Sequence, residues 1–163
     1  MLSLGIDPGT ARIGYGLVRE HNDGSLQAID YGVITTPAKT PMPERLKTIY
    51  DQLSAIINTY QPDRVGVEEL FFARNVTTAI TVAQGRGVIL LALAQSGLPV
   101  AEYKPNHIKQ SLTGYGSADK PQMQEMVRIL LGLQDIPKPD DAADGLAIAI
   151  TDIHNSRYQG LLS

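Results

Sequence analysis

The sequence contains no cysteine. That excludes disulfides, thiol chemistry and any zinc site built on thiolates. Its three histidines, His21, His107 and His154, stand far apart and form no HxxxH pair. Phenylalanine is almost absent: Phe71 and Phe72 are the only two. No apolar run reads as long enough to span a bilayer, and the N-terminus has no basic region followed by a long apolar stretch. The expectation is a cytoplasmic protein with no membrane partner. The excess of negative over positive charge is also small. The net charge of −3 argues mildly against nucleic acid, but it is unevenly placed. Residues 71–134 hold six basic side chains (Arg74, Arg86, Lys104, Lys109, Lys120, Arg128) against three acidic ones, so this segment is +3 and the remainder −6. Such a division suits a basic surface for a phosphate backbone beside an acidic pocket.

What is present fits one domain. The 163 residues, 43% of them hydrophobic, are enough for a proper core. There is no repeat, no low-complexity tract and no dividing linker. The first apolar run stops at Asp7-Pro8-Gly9, where proline ends the ladder and glycine permits a tight turn. "RIGYGLVR" and "LQAIDYGVIT" flank Asn22-Asp23-Gly24-Ser25, a hairpin signal, so the chain opens with three antiparallel strands. Leu46, Ile49, Tyr50, Leu53, Ile56, Ile57 and Tyr60 follow a 3.6-residue period and predict a helix over 43–60. "RVGVEEL" reads as a buried strand. A long helix follows over 75–96, with Asn75 as its N-cap and Gly97 as its stop. "LPVAEY" is a fifth strand, and helices are expected near 105–112, 120–132 and 140–155. The pattern predicts an α/β fold: a mixed five-stranded sheet with helices on both faces.

The second half of the 75–96 helix, "GRGVILLALA", is apolar on nearly every side and needs covering on two faces. The sheet supplies one cover. A second subunit, the preferred reading, or another helix of the same domain supplies the other. Gly85 and Gly87 inside this helix cost stability. Close approach of a helix or of DNA would explain them, and Arg86 between them could reach a phosphate.

Carboxylates gather at the ends of apolar segments. Asp7 ends the first strand, Glu68 and Glu69 end the fourth, and Asp140, Asp141 and Asp144 open the last helix. Asp141 and Asp144 share a helix face, whereas Asp140 points elsewhere. Asp140 and Asp141 are both candidate N-caps. If the first and fourth strands are neighbours, Asp7 and one glutamate lie side by side with the last helix across them. Carboxylates crowded this closely require a compensating charge. An oxygen-only ligand set suits Mg²⁺ or Mn²⁺. Two such ions roughly 4 Å apart can activate water and stabilise the leaving oxygen of a phosphodiester. Taken singly, each residue has a plainer reading: turn chemistry for Asp7, helix capping for the aspartates, an exposed rim for Glu69 and solvated charge for Lys109 and Lys120.

"GIDPGTARIGYG", "VEELFFARN", "AQGRG", "IKQSLTGYGSADK" and "DDAADGLAIAI" occur in an order and at spacings that resemble the RuvC family of Holliday junction resolvases. The resemblance runs from residue 4 to about residue 155. It implies an RNase H-like fold and a homodimer that nicks two opposing strands of a four-way DNA junction symmetrically, in recombination and repair. It also implies two Mg²⁺ per active site, with Mn²⁺ substituting, and products with 5′-phosphate and 3′-hydroxyl ends. The RuvA–RuvB branch-migration complex is the implied partner. Position by position, the resemblance makes Asp7, Glu68, Asp141 and Asp144 the catalytic metal ligands, with Glu69 in a variable place and Asp140 an extra residue. Phe71 matches an aromatic used against unstacked bases, and its neighbours Arg74 and Asn75 fit a DNA-contacting role. Phe72 is expected to pack under the following helix. Lys109 and Lys120 match basic residues near the active site and the DNA. Residues 1–156 form the expected nuclease domain and 157–163 a short tail. "GIDPGT" also resembles the phosphate loop of sugar kinases and actin-like ATPases, but those need a second such domain and a second glycine-rich acidic loop. A catalytically inactive junction-binding protein is the other alternative, disfavoured because all four carboxylates are present.

Overall fold

The computed structural model describes residues 1–69 and 76–162. Among these run β1 (Leu2–Asp7), β2 (Arg12–Glu20), β3 (Leu26–Thr35), α1 (Met42–Tyr60), β4 (Arg64–Glu68), α2 (Val76–Ser96), β5 (Val100–Tyr103), α3 (Pro105–Thr113), α4 (Lys120–Leu130) and α5 (Asp140–Leu162). The strands form one sheet in the order β3-β2-β1-β4-β5. β1, β2 and β3 pair antiparallel, and β4 lies parallel to both β1 and β5. The expected mixed sheet is present, and the first and fourth strands are neighbours.

Strand alternation divides the sheet's two faces. Leu4 and Ile6 of β1, Ile13 and Leu17 of β2, and Val65 and Val67 of β4 face one way. They form a core with Ile49 and Leu53 of α1 and Ile89 and Leu93 of α2. The intervening positions face α5: Ser3, Gly5 and Asp7 on β1, Gly14 and Gly16 on β2, Arg64, Gly66 and Glu68 on β4. Glycine predominates there because the helix comes in at backbone distance. A Cβ on Gly14 would stand 1.8 Å from the carbonyl oxygen of Asp141, and one on Gly5 2.1 Å from that of Gly145. On Gly16 it would stand 2.5 Å from the nitrogen of Leu146. The contact is reciprocal, since a Cβ on Gly145 would lie 2.5 Å from the carbonyl carbon of Tyr15.

Further along α5, Asp152 is wholly buried. Its carboxylate accepts bonds from Arg64 Nε (2.7 Å) and Nη2 (2.9 Å), Tyr103 OH (2.7 Å) and Ser3 Oγ (2.7 Å). A charge this deep is tolerated only when paired and fully hydrogen-bonded. Partners from β1, β4 and β5 meet that condition and fix the helix across three strands.

The structure departs from the sequence reading at four places. α5 continues to Leu162 rather than stopping near Asn155. Arg157 holds it down by bonding Glu20 Oε1 (2.5 Å) and the Gly24 carbonyl (3.1 Å), so residues 157–162 continue the helix. The α5 cap is neither Asp140 nor Asp141: the helix begins at Asp140, and the Pro139 carbonyl accepts from Ala142 N at 2.9 Å. Gly85 does make room, but for the loop after β1 rather than for a helix or DNA, since a Cβ there would meet the Gly9 carbonyl at 2.4 Å. Gly87 has open space around it. Finally, α2 is apolar and long enough by composition to cross a bilayer, with mean hydropathy 1.5 over 18 residues. One side of it is instead used in the core, at Gly85, Ile89, Ala92 and Leu93.

The two contrasting glycines give a direct check. Gly14→Ala must displace α5 and is expected to destabilise the fold by about 3 kcal/mol. Gly87→Ala, in open space within a helix, should stabilise it by up to about 1 kcal/mol. Denaturant midpoints of the two variants test this, and equal effects would contradict the packing described.

Candidate active site

Asp7 is the last residue of β1, and β1 pairs in register with β4 so that Ile6 lies opposite Val67. One step further brings Asp7 level with Glu68. The glycine contacts then lay the first turn of α5 over this sheet edge. A ligand oxygen from each of Asp7, Asp141 and Asp144 lies within 4.8 Å of the others. Glu68 stands beside Asp7 on the neighbouring strand, close enough that its charge raises the Asp7 carboxyl. All four carboxylates expected at the site come together, each half-buried.

Their electrostatics follow from that crowding. Burial, then the charges of Glu68, Asp144 and Asp141, push the Asp7 carboxyl up to about 9 from an ordinary 3.8. Glu68 is raised, chiefly by burial, with Lys109 opposing. Asp144 is likewise raised by burial, with Lys120 opposing. A proton on Asp7 does here what a cation would do: it allows neighbouring carboxylates to sit together. The all-oxygen donor set and the shared demand for positive charge fit hard divalent ions such as Mg²⁺ or Mn²⁺.

Basic side chains surround the cluster. Lys120, the first residue of α4, places Nζ 3.6 Å from Asp140 and 3.7 Å from Asp144. A capping box holds that helix start: Asp119 Oδ1 accepts from Gln122 N at 2.9 Å, and Gln122 Oε1 accepts from Asp119 N at 2.9 Å. Lys109 and Lys120 line a cavity of about 230 Å³ beside Glu68 and Asp144, with Ile108, Met123 and Ile148 among its apolar walls. A larger cavity, about 690 Å³ between α3 and the end of α5, contains none of the carboxylates. Asp140 stands outside the ligand cluster, exposed, accepting from Gln124 Nε2 at 3.1 Å. Arg86 does not project into solvent. Its Nη1 donates to the Glu68 carbonyl (2.7 Å) and its Nη2 to Glu102 (2.6 Å), and the side chain is only 13% exposed. It therefore braces the end of β4, where the sequence suggested a phosphate contact. Phe71, Phe72, Arg74 and Asn75 lie outside the described residues.

Sequence reasoning missed the supports. Arg12 Nε donates to Asp141 Oδ2 at 2.8 Å. Thr10 is buried, and its hydroxyl donates to the Thr81 carbonyl at 2.5 Å. Its own carbonyl accepts from Thr36 Oγ1, also at 2.5 Å. The loop after Asp7 is thus fastened to α2 and to the end of β3. Strand alternation could have found Arg12, which shares the face of Gly14 and Gly16. Nothing in the local sequence signals the partners of Thr10.

Metal-free stability should depend on pH in a definite sense. The folded Asp7 binds its proton more tightly than the unfolded one, so this stabilisation is complete below about 3.8 and is lost as pH rises towards about 9. Glu68 and Asp144 act in the same direction. In chelator, the melting temperature should fall over that range, saturating Mg²⁺ should remove most of the fall, and Asp7→Asn should flatten it. A melting temperature in chelator that rises between pH 6 and 9 would contradict the assignment.

The model of the family described as "Crossover junction endodeoxyribonuclease RuvC" matches residues 3–152. A Chloroflexus aurantiacus protein of that name is 63% identical over 150 residues, covering 92% of this chain and 91% of the relative. A Desulfitobacterium hafniense protein of the same name is 61% identical over 155 residues, covering 95% and 93%. The Thermus thermophilus RuvC structure superposes with TM-score 0.91 at 35% identity, covering 98% of this chain and 97% of that one. The same protein in complex with Holliday junction substrate gives 0.89 at 33%, covering 97% and 96%. The yeast mitochondrial Holliday junction resolvase, 14% identical with TM-score 0.69, shares the fold. Matched along nearly all its length, the chain belongs to the RuvC family of crossover junction endodeoxyribonucleases.

Proposed function

We propose that this protein resolves four-way DNA junctions by divalent-metal-dependent nicking of two opposing strands, leaving 5′-phosphate and 3′-hydroxyl ends. The observation that carries the reading is the convergence of Asp7, Glu68, Asp141 and Asp144 from two strands and a helix into a cluster that requires added positive charge. These four residues would hold two Mg²⁺ ions, with Mn²⁺ an effective substitute. Such ions, when bound, supply an activated water and neutralise the departing 3′ oxygen.

The remaining steps belong to the chain itself. Asp7 gives up its proton when the site is loaded, so the four carboxylates act together as anions. Lys109 and Lys120 border the same cavity as Glu68 and Asp144, and from there they offset charge that builds on the non-bridging phosphate oxygens. Arg86 keeps Glu68 in place by holding its carbonyl. Phe71, Arg74 and Asn75 follow β4 directly in sequence and would meet the strands at the crossover, with Phe71 against an unstacked base.

Paired incisions require two active sites, which a two-fold homodimer provides. The outward side of α2 supports such a pairing. Val76, Ile80, Ala83, Gly87, Leu91 and Ala94 are all exposed and recur at helical spacing along one stripe. Leu91 lies on this stripe, whereas Leu93 is fully buried in the core against α1. Branch migration by a RuvA–RuvB complex would deliver the substrate, and the work would take place in the cytoplasm, a reading that the bacterial sources of the relatives support.

The test is cleavage of a mobile synthetic four-way junction. Wild-type protein should cut two opposing strands with Mg²⁺ and none in chelator. Asp7→Asn and Glu68→Gln should lose cutting by orders of magnitude yet still bind the junction, since removing negative charge does not weaken attraction to phosphate. Asp140→Asn should cut normally. Full cleavage by Asp7→Asn would refute the assignment.

A further inference from the structure

Among the described residues, the cation nearest the carboxylate cluster is Arg12, which nothing in the reaction described above uses. It opens β2 on the same face as Gly14 and Gly16, so its side chain reaches the first turn of α5. We propose that Arg12 is an exchangeable counter-ion: it neutralises Asp141 while the site lacks a divalent ion, is displaced when that ion binds, and then contacts a phosphate of the DNA. The proposal rests on the divalent-cation reading of the four carboxylates.

Three features of the contact indicate exchange rather than anchoring. It uses Nε alone, 2.8 Å from Asp141 Oδ2, and among the described residues neither Nη atom of Arg12 makes a hydrogen bond. Arg64, by contrast, grips Asp152 with two nitrogens and is 18% exposed. Arg12 is 53% exposed and Asp141 32%. A one-point ion pair this open contributes little to stability, so breaking it costs little. A divalent cation held by several carboxylates at once therefore outcompetes it. The freed guanidinium keeps its charge at any working pH, and its planar fork matches a phosphate. Arg12 contacts Asp141 from β2, whereas Lys120 approaches Asp144 and Asp140 from α4. A strand lying over the carboxylates would then meet cations from two separate elements, β2 and α4. Metal and DNA binding become positively coupled, because each removes a competitor from the other's partner.

The experiment compares wild type, Arg12→Gln and Arg12→Lys. Mn²⁺ uptake by DNA-free protein is followed through the electron paramagnetic resonance of free Mn²⁺. Junction binding is measured over a salt series in Ca²⁺ and in chelator. Arg12→Gln should bind Mn²⁺ severalfold more tightly. It should bind the junction more weakly in Ca²⁺, with a salt slope smaller by about 0.9, the contribution of one phosphate contact. In chelator its junction affinity should match wild type, because Arg12 is then engaged with Asp141. Arg12→Lys should retain the salt slope. Unchanged or weaker Mn²⁺ binding by Arg12→Gln would overturn the exchange. So would equal losses of junction affinity in Ca²⁺ and chelator, which would mark a fixed phosphate contact. Wild-type protein that takes up no Mn²⁺ would overturn the cation reading itself, and this proposal with it.

Discussion

Backbone contact between α5 and the β1–β2 pair is the constraint on which the site depends. Gly5, Gly14, Gly16 and Gly145 leave no side chain at the points of closest approach along that seam. The helix therefore sits close enough for the carboxylates of its first turn to reach the end of β1. The buried Asp152–Arg64–Tyr103–Ser3 network fastens the same helix further along. Seam and network together leave α5 little freedom to slide or tilt. Asp141 and Asp144 are held against Asp7 although each repels it.

That rigidity has an electrostatic consequence. A flexible site would relax by letting its carboxylates drift apart, but this one must bind positive charge instead. Without metal, a proton on Asp7 takes the role, with Arg12 and Lys120 on the flanks. On the proposed reading, folding, ion binding and proton binding are linked through the same four groups. The supports are correspondingly local: Arg86 on the β4 carbonyl, the Asp119–Gln122 capping box beneath Lys120, and Thr10 fastening the loop after Asp7.

The mixed five-stranded sheet, its three antiparallel opening strands, the flanking helices and the gathering of carboxylates at the ends of apolar segments were all legible in the sequence. Each rests on a local signal: Asp7-Pro8-Gly9 for the end of β1, the period of Leu46 to Tyr60 for α1, and carboxylates ending apolar runs. Features that depend on contacts between distant residues were not legible. Arg86 read as a free cation because its partners, the Glu68 carbonyl and Glu102, are brought to it only by the packing of α2 on the sheet edge. Gly85 signalled close approach, but not that the loop after β1 was what approached. Nothing around Asp152 in the sequence marks it as buried, because Ser3, Arg64 and Tyr103 converge on it from three strands. The extent of α5 was missed because Arg157 anchors it to the β2–β3 turn, a contact with no signature in the local sequence.

The central claim is that folding alone assembles a divalent-cation site from Asp7, Glu68, Asp141 and Asp144. Crystals of the wild-type protein grown with Mn²⁺ and without DNA would test it most directly, since anomalous scattering locates each ion without reference to activity. The account predicts Mn²⁺ among these four carboxylates, with Asp140 uncoordinated. Manganese bound elsewhere, or a site completed by Asp140 in place of Asp141, would contradict it.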